Sequence, residues 1–289
     1  MSMRLASAEL VDSREILPRE WLQAFHAPHV ALGSRAGQFV HVRGGDLSGL
    51  VLRRPFSINT ADRASGTITL HFRVQGRATD WFTHLRPGDR IDLLGPLGRP
   101  FEVDARSRHL LLVAGGSAGI AGLRMLADEA VRDGRQVTLL LGAESARHVY
   151  PSNLLPDEVE YVVATEDGSL GRRGTVADLV PDYEAWADQA FAAGPAPMLA
   201  TLARLAATRR HRLGVAKLGR KRGHGRADPI GSPAARRKAF LQVALRQRMG
   251  CAVGACLGCV VMGAAGTPLR TCREGPVFAA EEIDWEAGW

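Results

Sequence analysis

Residues 109–145, HLLLVAGGSAGIAGLRMLADEAVRDGRQVTLLLGAES, decide the fold. The opening run HLLLVA is uninterrupted, as expected of a strand buried on both faces. The glycine-rich turn Gly115-Gly116-Ser117-Ala118-Gly119 follows it. Apolar residues then recur at helical spacing through IAGLRMLADEAV, and a second apolar run, QVTLLLG, closes the unit. Strand, turn, amphipathic helix and strand make a βαβ unit, which requires a parallel sheet flanked by helices.

Working outward from this unit, YVVAT (161–165) and QAFAAG (189–194) read as further buried strands and PMLATLARLAATRR (197–210) as a helix. FLQVALRQ (240–247) reads as a last strand before a group of cysteines. Upstream the texture is different. GQFVHVR (37–43), LRRPFSI (52–58), TITLHFRV (67–74) and DRIDLLG (89–95) are short strands separated by Gly and Pro clusters, the pattern of a barrel or sandwich. The expected organisation is a barrel over 1–105, an α/β domain over 106–247 and a small cysteine-bearing extension over 248–289.

Of the 289 residues, 46% are hydrophobic and 23% charged, which excludes a disordered or collagen-like chain. No apolar run reaches the ~18 residues of a membrane span. The first residues, MSMRLASAELVDSREIL, lack an apolar signal-peptide core, so a cytoplasmic protein is expected. The net charge of +7 is concentrated in one place. Residues 209–238 hold eleven Lys and Arg against Asp228 alone, leaving the rest of the chain slightly negative. This segment reads as a solvated insertion, with anionic-partner or nucleic-acid binding, or a locally shifted reading frame, as the alternatives.

The four cysteines, Cys251, Cys256, Cys259 and Cys272, are spaced C-x4-C-x2-C-x12-C. Thiolates are soft ligands for zinc or iron–sulfur clusters. Zinc sites usually pair two CxxC knuckles, and here Cys256 and Cys259 alone have that spacing. The C-x4-C-x2-C run instead matches a [2Fe–2S] loop, with a shorter final gap than plant-type proteins have. Gly254 and Gly258 would let the backbone wrap closely around the sulfurs.

Three further patterns suit a redox nucleotide enzyme. Arg54-Pro55-Phe56-Ser57 ends a strand, where an arginine could hold a pyrophosphate and a hydroxyl a flavin ring. Gly76-Arg77-Ala78-Thr79 reads as a turn whose N–H groups face the same phosphates. Gly115, Gly116 and Gly119 form a phosphate-binding strand-to-helix turn, and Gly194-Pro195-Ala196-Pro197-Met198 a second one, against which a nicotinamide would pack. Glu144, just past the second strand, would accept from a ribose 2′-OH and repel a 2′-phosphate, favouring NAD over NADP; the nearby Arg147 works against that choice.

In this order, barrel, RPFS, GGxxG, GPxPM and C-x4-C-x2-C…C, the sequence resembles the ferredoxin–NADP reductase superfamily with an iron–sulfur extension. Within it, GQFVHVR, RPFSI, GDRIDLLGPLG, EDGSLGRRGTV, GPAPM, MGCAVGACLGCVV and TCREGPVF are similar to the electron transfer subunits of NAD-dependent dihydroorotate dehydrogenases. The resemblance implies one FAD, one [2Fe–2S] cluster held by the four cysteines, NAD as co-substrate and a separate FMN-containing catalytic subunit in a hetero-oligomer. It implies that Arg54 and Ser57 serve the flavin and Gly76–Thr79 its pyrophosphate, with no general base or nucleophile in this chain. Ser117, Ala118 and Gly122 stand where the family often has Gly, Ile and Pro, and Ala193 where many relatives have Cys. The competing readings keep the cofactors but serve a hydrogenase or ferredoxin–NADP transhydrogenase, or abandon redox chemistry for nucleic-acid binding on an inactive reductase fold.

Overall fold

The computed structural model describes residues 3–44, 52–212 and 238–287. Most of the basic segment 209–238 lies outside these residues. Among the described residues, no helix is long and apolar enough to cross a membrane.

Six strands form the first body: β1 (Arg4–Leu17), β2 (Glu20–His26), β3 (Phe39–Arg43), β4 (Arg54–Asp62), β5 (Thr67–Arg73) and β6 (Arg90–Leu97). They close into an antiparallel barrel in the order β1-β2-β5-β4-β3-β6. Closure follows from the length of β1. Arg4–Glu9 pair with β6 and Glu9–Leu17 with β2, with a register shift between Leu10 and Asp12. One strand therefore serves both sides of the seam and leaves no edge. Alternation places Val40, Val42, Phe56, Ile58, Ile68 and Leu70 in the buried core. Two short helices, α1 (Pro28–Gly33) and α2 (Arg77–Thr83), pack around the barrel.

The second body is built on β7 (His109–Gly115), α3 (Gly116–Arg132), β8 (Gln136–Ala143), β9 (Val159–Thr165), β10 (Arg172–Arg173), α4 (Val180–Tyr183), β11 (Gln189–Ala193), α5 (Ala196–Arg212) and β12 (Leu241–Ala244). Its sheet runs β10-β9-β8-β7-β11-β12 in parallel. The βαβ unit of residues 109–145 is present as β7-α3-β8. Phe101 meets Phe191 edge-on at 5.4 Å, and the barrel and α3 share one continuous apolar core.

The C-terminal part contains a hairpin of β13 (Val260–Met262) and β14 (Pro268–Arg270), then β15 (Val277–Ala279). The segment 240–247 was expected to supply the last strand. Instead β15 adds to β12 antiparallel, as a seventh strand, with Val243 opposite Phe278. Phe278 is buried in the core of the sheet, which explains the pairing.

Candidate functional site

The expected flavin motif, Arg54–Ser57, begins β4. Phe56 points inward and packs edge-on against Phe72 at 5.5 Å and Phe82 at 5.2 Å. Strand alternation then turns Pro55 and Ser57 outward. Two adjacent arginines precede them with different surroundings. Arg53 donates to Asp92 Oδ2 at 2.6 Å and is neutralised there. Arg54 bonds the Leu52 carbonyl at 2.7 Å and, among the described residues, faces no carboxylate. Its charge remains available to an anion. Sequence reasoning singled out Arg54 but missed the Arg53–Asp92 pair, because the partners come from different strands and no spacing reveals them.

The expected turn Gly76-Arg77-Ala78-Thr79 is the start of a helix. Gly76 caps α2, Thr79 Oγ1 accepts from the Gly76 amide at 3.1 Å, and the Asp80 amide bonds the Gly76 carbonyl at 2.9 Å. The correction has a local cause: the threonine hydroxyl closes a box that holds the chain in helical form. The Phe82–Phe56 contact seats α2 beside the RPFS strand.

In the sheet, β7 is flanked by β8 on one side and β11 on the other, so strand order reverses between β7 and β11. Ligands of open α/β sheets bind at such a switch point, outside the carboxyl ends of the strands. Both candidate turns sit there. A Cβ at Gly115 would come within 2.6 Å of Met198 Sδ and Pro195 Cδ, and one at Gly194 within 2.9 Å of Gly115 Cα. A Cβ at Gly119 would meet the Ala193 carbonyl oxygen at 2.3 Å. Gly116 differs: its φ is +67° and nothing lies within 4 Å of a Cβ there, so the turn presents backbone to open space. Ser57, Gly122 and Ala193 converge, since a Cβ at Gly122 would be 3.4 Å from Ala193 Cβ and 4.0 Å from Ser57 Oγ. The flavin motif thus abuts the nucleotide turns. Glu144 follows β8, exposed, with Oε2 3.7 Å from His148 Nδ1. The adjoining Ala146 amide bonds Ser169 Oγ at 2.7 Å, which ties this loop to the EDGSLG segment.

The cysteines form two pairs. Ala252 (φ 56°), Gly254 (φ 83°) and Leu257 (φ 57°) adopt left-handed backbone and curl the loop so that its amides face sulfur. The Ala255 and Cys256 amides both donate to Cys251 Sγ at 3.3 Å. Burial raises the Cys251 pKa, but hydrogen bonds from the Val253, Cys256 and Ala255 amides and from the Cys256 thiol outweigh it and bring the thiol down to about 6. Cys259 immediately precedes β13 and Cys272 lies just beyond β14, whose register sets Val260 opposite Arg270. The Thr271 amide bonds the Cys259 carbonyl at 3.0 Å, and the Cys272 amide points at Cys259 Sγ at 3.5 Å. Both cysteines are buried, and burial together with the neighbouring Cys259 pushes the Cys272 thiol up. The short final gap is therefore the length of a hairpin. Arg270 braces it, bonding Glu274 and the Gly254 carbonyl at 3.1 Å.

Among the described residues, no three or more His, Cys, Asp or Glu side chains converge as a single-ion site. Four thiols in two pairs, ringed by amides, fit a binuclear cluster whose irons would ionise them. Comparison with known proteins agrees. The iron-sulfur cluster binding domain of dihydroorotate dehydrogenase B matches residues 246–284, and the oxidoreductase FAD-binding domain matches 10–101. The dihydroorotate dehydrogenase B (NAD(+)) electron transfer subunit of Desulforamulus reducens is 35% identical over 98% of this chain and 99% of its own length. This chain belongs to the dihydroorotate dehydrogenase B electron transfer subunit family. The Geobacillus thermodenitrificans member is 32% identical, covering 95% of this chain and 96% of its own length. Among solved structures, an NADH-dependent reduced ferredoxin–NADP oxidoreductase superposes with a TM-score of 0.76 at 26% identity, over 97% of this chain and 91% of that one. As a member of the dihydroorotate dehydrogenase B electron transfer subunit family, the chain has an FAD-binding reductase fold with an iron–sulfur extension.

Proposed function

We propose that this chain relays electrons between an FMN-containing, dihydroorotate-oxidising partner subunit and NAD+, as one part of a cytoplasmic hetero-oligomer in pyrimidine biosynthesis. The near-full-length similarity to electron transfer subunits, with the four-cysteine hairpin included, carries this reading. Residues 1–105 serve the flavin, 106–247 the nicotinamide nucleotide and 248–289 the cluster. When bound, FAD exchanges a hydride with NAD and single electrons with the cluster, joining two-electron to one-electron chemistry.

The residues position and tune these groups. Arg54 supplies the uncompensated charge for the flavin pyrophosphate, and within the Gly76–Thr79 segment the amides from Arg77 to Thr79 serve the same phosphates, the Gly76 amide being taken by Thr79 Oγ1. Pro55, Phe56 and Ser57 set the strand against which the ring lies. Gly115, Gly116 and Gly119 admit the dinucleotide phosphates, Gly194, Pro195 and Met198 form the wall for the nicotinamide, and Glu144 accepts from the ribose. Cys251, Cys256, Cys259 and Cys272 hold the irons. Substrate activation belongs to the partner.

The test is co-expression with the FMN subunit and anaerobic purification. The expected result is a stable complex with one FAD, about two irons and two sulfides per copy of this chain, and dihydroorotate-dependent NAD+ reduction. Stoichiometric zinc, or NADH oxidation without coupling to orotate chemistry, would overturn it.

A further inference from the structure

The proposed flavin residues and the cysteine loop lie on neighbouring strands of the barrel, β4 and β3, on its outer face. On β4 the outward residues Pro55 and Ser57 lie on the flavin side. Their register partners on β3 are His41 and Phe39. Val40 and Val42 occupy the barrel core, so Phe39 and His41 point outward as well. The cysteine loop covers this part of the wall. Phe39 is 3% exposed and packs in one continuous cluster with Leu97, Met249, Ala252, Cys259 and Cys272.

The ring of Phe39 also reaches the far side of the loop. A Cβ at Gly98 would stand 2.9 Å from Phe39 Cε1 and 3.0 Å from the Gly275 carbonyl oxygen. The missing side chain at Gly98 lets the ring and the Gly275–Pro276 segment approach each other. The Arg99 amide locks that approach by bonding the Gly275 carbonyl at 2.5 Å. Phe39 is therefore opposite Ser57 through its backbone and against the cysteine loop through its ring.

We infer that Phe39 is the positioning residue for electron transfer inside this chain: electrons cross between cluster and flavin through the Phe39–Ser57 rung of β3 and β4. Electron tunnelling falls steeply with distance and falls further across a void than through packed atoms. Opposed residues of an antiparallel pair are only ~4.5–5.5 Å apart, and interiors are packed as densely as organic crystals. Two electrons cross per turnover in single steps, the cluster losing each and the flavin gaining each. The partner's dihydroorotate is the reductant and NAD+ the final oxidant. Hydride chemistry stays on the Ser57 side, where the flavin would take one proton from solvent for each pair of electrons, so no proton has to follow the electrons along the rung. The inference rests on the proposed flavin position, and the experiment separates the two.

The purified complex is mixed rapidly with NADH, and FAD bleaching is followed optically while cluster reduction is followed by freeze-quench electron paramagnetic resonance. Phe39→Leu keeps an apolar side chain but removes the ring and its reach toward the cysteine loop; Phe39→Trp restores an aromatic reach. The expected result for Phe39→Leu is unchanged FAD and iron content, unchanged cluster spectrum and midpoint potential, unchanged FAD reduction by NADH, and cluster reduction slowed about tenfold, equivalent to ~1.4 kcal/mol of barrier. Phe39→Trp should recover most of that rate. Cluster reduction within about twofold of the unmodified rate would overturn the inference, as would loss of the cluster or a shifted potential in Phe39→Leu, which would make the ring a structural support. An unmodified complex lacking FAD would instead overturn the flavin position itself.

Discussion

Two adjacent arginines divide the charge at the start of β4. Arg53 is paired with Asp92, while Arg54 faces no carboxylate among the described residues. Removing Arg54 should therefore be felt at the flavin rather than in the barrel. Arg54→Ala should lose a charge-assisted contact of about 1.5–3 kcal/mol and weaken FAD binding roughly tenfold to a hundredfold. Dialysis against titrated FAD measures this, and unchanged retention would contradict the role. Glu144 offers a second test at this scale. Its carboxylate is exposed and turns toward His148, leaving it accessible to a ribose at the end of β8. NADH should reduce the enzyme more efficiently than NADPH, and Glu144→Gln should narrow the gap in kcat/KM; equal values in the unmodified protein would show that Glu144 does not select. These residues were legible because each lies within a contiguous motif. Arg53–Asp92 and the Phe39–Ser57 rung were not, because they depend on strand pairing that a linear pattern does not encode.

Among elements, the cysteine hairpin shows how spacing becomes geometry. Cys256 is exposed in the loop while Cys259 and Cys272 are buried at the hairpin base. Cys256→Ser should abolish the cluster but leave FAD bound, since the FAD motifs lie on the barrel. Iron, sulfide and flavin analysis of the purified variant checks this, and a retained [2Fe–2S] spectrum would count against ligation by Cys256. The strands of the βαβ unit and four barrel strands were readable from apolar runs and alternation. The long β1 was not, because RLASAELVDSREIL is largely exposed and half polar, so its pattern is faint. Nor was β15, three residues long, whose place in the sheet depends on β12 rather than on its own composition. Helix α2 was read as a turn because a glycine start signals both.

For the whole molecule, the packing of barrel against extension brings a titratable group into the interior. His41 is 1% exposed, and neither ring nitrogen has a hydrogen-bond partner. Burial first, and then the charge of Arg53, outweigh the pull of the nearby Met249 and Arg53 backbone and lower its pKa to about 4. An unfolded imidazole titrates near ~6.5, so the unfolded chain takes up a proton before the folded one does. Stability is therefore full above that value and is lost as pH falls toward 4, by about 3 kcal/mol at most. Urea unfolding of the complex across this range should show the slope, and His41→Leu should flatten it; superimposable profiles would refute the assignment.

The extension is fastened at two separate places. Its cysteine loop is packed on β3 and β6 of the barrel, and β15 is hydrogen-bonded into the far sheet. Attachment of the one extension to both bodies opposes a swing of the barrel against the sheet about a single hinge. With a nicotinamide nucleotide held between Ser57 and the Gly115 and Gly194 turns, as proposed, its exchange is expected through movements of side chains and surface loops and not of whole domains. Rigidity of this kind would keep the proposed donor and acceptor at one separation, and the tempo of nucleotide exchange should then be set at the mouth of the cleft and not by domain closure.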